Sequence, residues 1–350
     1  LVVSLATTAA LSGCGSTDDG PAARDAAETT ISDEPNLEIT APDDPASDDA
    51  GYDDAGYDDA GYDDTEDYDP GPDDTGAFDT GADVTASPSV DDSAGRDDVD
   101  CSAEGLGSSA ETDFTVARYV VDGRLGAVCF GDDDPVLLDA WTTLVTITPP
   151  LQLTDLALFG GFTGSSGGDE ETLAFVNSTD DSGELFQMSI NLGTFHDDEN
   201  QAKLTVAHEF SHVFTATPLQ LDRSDEAFQD CSTYLAAEGC YLADSLMYRW
   251  IEQFWGDWID QIDPEADASV ADGEERCSLD PGFFGPYAAS SPEEDFAESF
   301  SAFVFGVEAS TGAQQRKLDF MAAQPGLVEF RDRADAAGWS PIANEFDPCG

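Results

Sequence analysis

Residues 198–218, DENQAKLTVAHEFSHVFTATP, decide how the chain is read. Leu204, Ala207, Phe210, Ser211, Val213 and Phe214 fall at helical spacing, and Pro218 stops the run. Inside it lies His208-Glu209-Phe210-Ser211-His212. Residues four apart on a helix sit one turn apart on the same face, so both imidazoles can reach one ion. Glu209 is turned about 100° round the axis, beside the coordination sphere rather than in it. Two neutral imidazoles, a third ligand and an open position for water are what a hydrolytic zinc site requires. Zinc lowers the pKa of water to about 7, and the Glu takes its proton. The plainer reading, two surface histidines flanking a solvated Glu, sits badly with the apolar residues around them.

The chain has three histidines, so the third ligand must be His196 or a carboxylate. A metzincin would place a His six residues beyond His212, where this chain has Pro218. His196 lies in an Asp-rich stretch and reads as exposed. The densest downstream acid cluster is Ser291-Pro292-Glu293-Glu294-Asp295-Phe296-Ala297-Glu298, with Glu294 and Glu298 four apart on one helical face. Ser291 to Glu294 also fits a capping box, in which Glu294 would bond back to the Ser291 amide. Glu298 would then be the ligand. Spacing leaves both assignments open.

His208–His212 together with Glu294-Asp295-Phe296-Ala297-Glu298-Ser299-Phe300 resembles the gluzincin peptidases of the anthrax lethal factor type. The resemblance covers two short motifs. It implies a zincin-like fold and one Zn²⁺ held by His208, His212 and Glu294. It implies Glu209 as general base, and Glu298 as a supporting carboxylate near a ligand His. It further implies a transition-state role for Tyr287, seven residues before Glu294. Tyr287 also reads as an ordinary core aromatic. The resemblance is silent on substrate.

Upstream of the motif helix the chain reads as strands. Phe114–Val121 and Arg124–Phe130 form an expected hairpin about Asp122-Gly123, a favoured turn dipeptide. Asp134–Ile147 reads as a helix closed by Pro149 and Pro150. Residues 151–162, 172–177 and 184–192 read as further strands. The last of these is expected to be the edge strand that a peptide substrate would pair with. Downstream, residues 230–258 read as largely helical with a break near Gly239. Ser291–Phe305 reads as a helix with Ser291 as N-cap and Pro292 in its first turn. Strands first and helices second give an α+β fold with an N-terminal mixed or antiparallel sheet.

Outside this domain, expected at 101–350, composition changes sharply. Residues 15–100 are dense in Asp and nearly devoid of Leu, Ile, Phe and Trp, so they read as a disordered tether. Ala-Gly-Tyr-Asp-Asp units starting at Ala50, Ala55 and Ala60 make it self-repelling and extended, and their Asp pairs offer weak oxygen ligands for Ca²⁺. Residues 1–14 end in Leu11-Ser12-Gly13-Cys14, which resembles the lipobox of prokaryotic lipoproteins. That implies a truncated signal peptide, lipid on Cys14 and an anchored, extracellular domain. The formal charge of −63 argues against a nucleic-acid partner. Six cysteines remain besides Cys14, scattered as disulfides are in exported chains. Only Cys231 with Cys240 is close enough in sequence to pair on that ground. Two functions are compatible with these features: a surface zinc peptidase acting on peptides or proteins, and a non-enzymatic acidic adhesin or calcium binder with a structural zinc.

Overall fold

The computed structural model describes residues 90–108, 112–164, 172–262, 270–347 and 349. Cys14, the lipobox and the Ala-Gly-Tyr-Asp-Asp repeats lie outside the described residues. The fold is α+β. In chain order the elements are β1 (Asp113–Val121), β2 (Arg124–Gly131), α1 (Pro135–Ile147), β3 (Leu156–Thr163), β4 (Ala174–Ser178), β5 (Phe186–Asn191) and α2 (Glu199–Thr215). A small sheet and a helix-rich half follow: β6 (Leu221–Asp222), α3 (Asp225–Gln229), β7 (Leu235–Ala236), β8 (Gly239–Tyr241), α4 (Leu246–Phe254), α5 (Val270–Leu279), α6 (Pro292–Val304), α7 (Gly312–Ala322) and α8 (Pro325–Ala336).

Five strands form one mixed sheet in the order β2-β1-β3-β5-β4. β3 and β5 run parallel, and the other pairs are antiparallel. The β1–β2 turn has Asp122 and Gly123 both at positive φ, 50° and 69°, as a two-residue hairpin turn that matches strand twist demands. Residues 184–192 were expected at the edge. β5 instead lies inside the sheet between β3 and β4, and β4 is the outer strand. Alternation of side chains sets which face a residue takes but not which strand is the neighbour. A strand buried at every position, as β5 is, needs cover on both faces and both edges.

The main core fills the space between one sheet face and the helices, with Trp141, Phe159, Phe210, Trp250, Phe300 and Phe330 buried in it. A smaller cluster, Phe114, Leu158, Phe162 and Phe175 with Leu106, covers the other face. It is closed by the Cys101–Cys129 disulfide. The fold reaches back beyond Cys101: Asp91 and Ala127 amides bond to Leu125 and Ala94 carbonyls, and Asp92 pairs with buried Arg118. Val99 also packs against the smaller cluster, so residues 90–100 join the fold through backbone bonds, an ion pair and an apolar contact.

Residues 230–245 correct the helical expectation. Cys231–Cys240 is indeed a disulfide, but it closes a three-stranded sheet in the order β6-β8-β7. Gly239, at φ 151°, has Asp222 O where a Cβ would stand 2.3 Å away. Cross-linked strands passing that close leave no room for a helix, and only Leu246–Phe254 is helical there. Among the described residues no helix is long and apolar enough to cross a membrane.

Candidate metal centre

Two helices build the site. α2 begins at Asp198, whose carboxylate accepts the Asn200 and Gln201 amides at 2.8 and 3.0 Å. Its second half is buried on all sides between the sheet, α1 and α6, so the His208–His212 face cannot turn to solvent. α6 begins at Ser291, whose Oγ accepts the Glu294 amide at 3.2 Å. Only that half of the capping box forms. The Glu294 carboxylate turns inward, its Oε2 2.9 Å from His208 Nε2 and 3.7 Å from His212 Nε2.

His208, His212 and Glu294 thus bring one ligand-capable atom each within 4.8 Å of the others. A tetrahedral zinc with bonds near 2.0–2.1 Å needs ligand atoms roughly 3.3 Å apart, and the two Glu294 distances bracket that value. The residues fit such an ion. His212 Nε2 and both Glu209 oxygens are buried with no hydrogen-bond partner, a costly arrangement unless something outside the protein satisfies them.

Charge settles unevenly in the cluster. Burial pushes the His208 imidazole down, more than Glu294 pulls it up. Burial opposes protonation of His212 as well, but Glu294 and Glu209 outweigh it and bring the group to about 9. Burial would raise Glu294, yet the two histidines hold it down at about 2. Glu209 is raised by burial, to about 8. The cluster is thus a buried carboxylate facing imidazole, with a second carboxylate at its side.

Tyr287 reaches the site from a loop before α6. Its ring centre stands 6.0 Å from that of His208, and burial and the nearby carboxylates Glu294, Glu209 and Glu298 keep its hydroxyl protonated. Glu298 lies one turn beyond Glu294, 4 % exposed, outside the three-residue cluster. Burial and neighbouring acids push its carboxyl well up. Neither its Oε2 nor His208 Nδ1 has a hydrogen-bond partner. His196 stays on the surface, 57 % exposed and 3.5 Å from Asp139.

Sequence reasoning passed over several groups nearby. Asp295, fully buried, accepts Trp255 Nε1 at 2.9 Å and pairs with Lys317 at 2.5 Å. Tyr234 and Tyr241 stack in the small sheet with ring centres 6.2 Å apart, close enough to Glu293 for its charge to be felt. Arg276 is buried against the loop that carries Tyr287. A charged residue in a helical segment reads as solvated, and nothing in the sequence marks these as inward.

No family model matches the chain, and no curated protein matches it. Among solved structures it is similar to a "putative zinc-binding metallo-peptidase" from Bacteroides caccae, at 14 % identity and a TM-score of 0.27, over 60 % of this chain and 77 % of that one. A likeness that slight leaves the functional reading to the site's own residues.

Proposed function

We propose that the protein is a zinc-dependent peptidase in which His208, His212 and Glu294 hold the ion, Glu209 is the general base and Tyr287 assists the transition state. The observation that carries this is Glu209, a buried carboxylate beside a His/His/Glu cluster with neither oxygen bonded. A structural zinc needs no such group. Leaving a buried polar group without a hydrogen-bond partner costs stability, a cost that function explains. Bound zinc supplies Lewis acidity, which activates water and polarises a carbonyl. Glu209 accepts a proton from the attacking water and returns it to the leaving amine. Tyr287, kept protonated, donates its hydroxyl to the oxygen on which charge develops. Burial around both groups excludes competing water and strengthens these interactions.

The remaining parts of the reading concern placement. Cys14 carries lipid and residues 15–89 space the domain from the surface, so the enzyme meets extracellular peptides or proteins. Cys14→Ser should move the protein from the membrane fraction to the medium, and unchanged membrane association would contradict the anchor. For the activity, the purified full chain is incubated with a mixed peptide library, with and without chelator, and cleavage is read by mass spectrometry. Chelator-sensitive cleavage is expected. Bound zinc without turnover on any peptide would favour the non-enzymatic surface protein.

A further inference from the structure

We infer that Arg276 is a positioning residue, which holds the Pro286–Ser290 loop so that Tyr287 stands beside His208 and Glu294. Its Nε donates to Ala289 O at 2.6 Å and its Nη2 to Ser290 O at 3.0 Å. Arg276 is 9 % exposed, and charge-assisted bonds to two consecutive carbonyls fix both position and tilt of that backbone. The loop is drawn in further by Ser290, whose amide and hydroxyl both bond to Tyr287 O, at 2.9 and 2.6 Å. α5 can approach so closely because of Gly273, where a Cβ would fall 1.7 Å from Pro286 O and 3.0 Å from Ser290 N.

The residues just before the loop are held by the C-terminal segment. Phe346 packs on Phe284 with ring centres 5.5 Å apart, and a Cβ on Gly285 would lie 2.9 Å from Asp347 O. The two clamps are one unit, because Cys277, next to Arg276, is disulfide-bonded to Cys349. His208 and His212 come from α2 and Glu294 from α6, so none of the cluster's own side chains lies on the clamped loop.

A double-mutant cycle tests the inference on the full chain with its disulfides intact. Its kinetic arm rests on the peptidase reading, and its exchange arm does not. Arg276→Met and Arg276→Lys are made alone and with Tyr287→Phe. Zinc content should stay at one throughout. Arg276→Met should lower kcat about tenfold with KM nearly unchanged, as expected for a small misplacement. In the Tyr287→Phe background the same change should cost less than about twofold, and Arg276→Lys, which keeps a charged donor, should recover part of the loss. By hydrogen exchange the Ser290 amide should open about tenfold faster in Arg276→Met while α2 amides keep their protection. Equal kcat losses in both backgrounds, or a Ser290 amide that exchanges at the wild-type rate, would overturn the assignment. Should the wild-type chain cleave nothing, the peptidase reading fails, and Ser290 exchange alone decides the role of Arg276.

Discussion

Helices α2 and α6 carry the same arrangement with opposite outcomes. Each presents a cluster side chain, a carboxylate one residue on, and a titratable group four on: His208, Glu209 and His212 in one, Glu294, Asp295 and Glu298 in the other. Both intervening carboxylates are fully buried. Asp295 is saturated by Trp255 and Lys317, whereas Glu209 has no partner for either oxygen. The groups four on differ as well: His212 completes the cluster, and Glu298 falls outside it. A shared spacing puts side chains on one face. What each then does depends on what the neighbouring element offers: α7 brings a lysine to Asp295, and nothing among the described residues answers Glu209. One carboxylate is thereby structural and the other free for chemistry.

The largest effect that would break this contrast is on turnover. Glu209→Gln keeps the shape and both imidazoles but cannot accept a proton. Peptide cleavage should fall about 10²–10⁴-fold while zinc content and thermal stability hold, because Gln keeps the shape of a carboxyl that burial already raises to about 8. Wild-type turnover in Glu209→Gln, read by the same mass-spectrometric assay, would strip Glu209 of its role.

Next in size is the structural carboxylate. Lys317→Met leaves Asp295 buried without its cation and should cost about 3–5 kcal/mol in denaturant unfolding. Burial already holds the Asp295 carboxyl above its usual value, although Lys317 and Trp255 pull it down. A carboxyl raised on folding lets the native state keep a proton that the unfolded state has lost. Stability therefore declines as pH rises above about 4. Removing Lys317 raises the group further, so the variant should lose more stability than wild type as pH rises from the ordinary carboxylate range toward neutrality. Parallel pH profiles for the two proteins would show that Lys317 does not compensate Asp295.

The smallest expected effect is at the fourth position of α6. Glu298→Gln replaces a carboxyl that burial already keeps protonated, so stability should change by no more than the ~1 kcal/mol of a typical point substitution. A loss of several kcal/mol would mean that Glu298 is ionised in the folded protein.

Much of this was legible in the sequence. Helical periodicity and caps placed α2 and α6 within a residue or two, because Asp198, Ser291, Pro292 and Pro218 act locally. The β1–β2 turn was legible for the same reason. What escaped depended on distant contacts. The inside position of β5 follows from pairing order, which alternation does not encode. Residues 230–241 have helix-compatible composition, but the Cys231–Cys240 link and the close approach at Gly239 override it. At Glu294 the local and distant options were both physically sound, a bond back to Ser291 or a turn inward, and His208 across the helix crossing decides between them. Arg276 and Asp295 could not be read as buried, since their partners lie in other elements.

Zinc stoichiometry across the two helices tests the central assignment most directly. Full chains carrying no change, Glu294→Ala or Glu298→Ala are stripped of metal, reconstituted with zinc, dialysed and measured by elemental analysis. The account predicts one zinc in the unchanged chain, none in Glu294→Ala and one in Glu298→Ala. No zinc in the unchanged chain would contradict the metal centre itself, and retention in Glu294→Ala with loss in Glu298→Ala would move the third ligand one turn along α6.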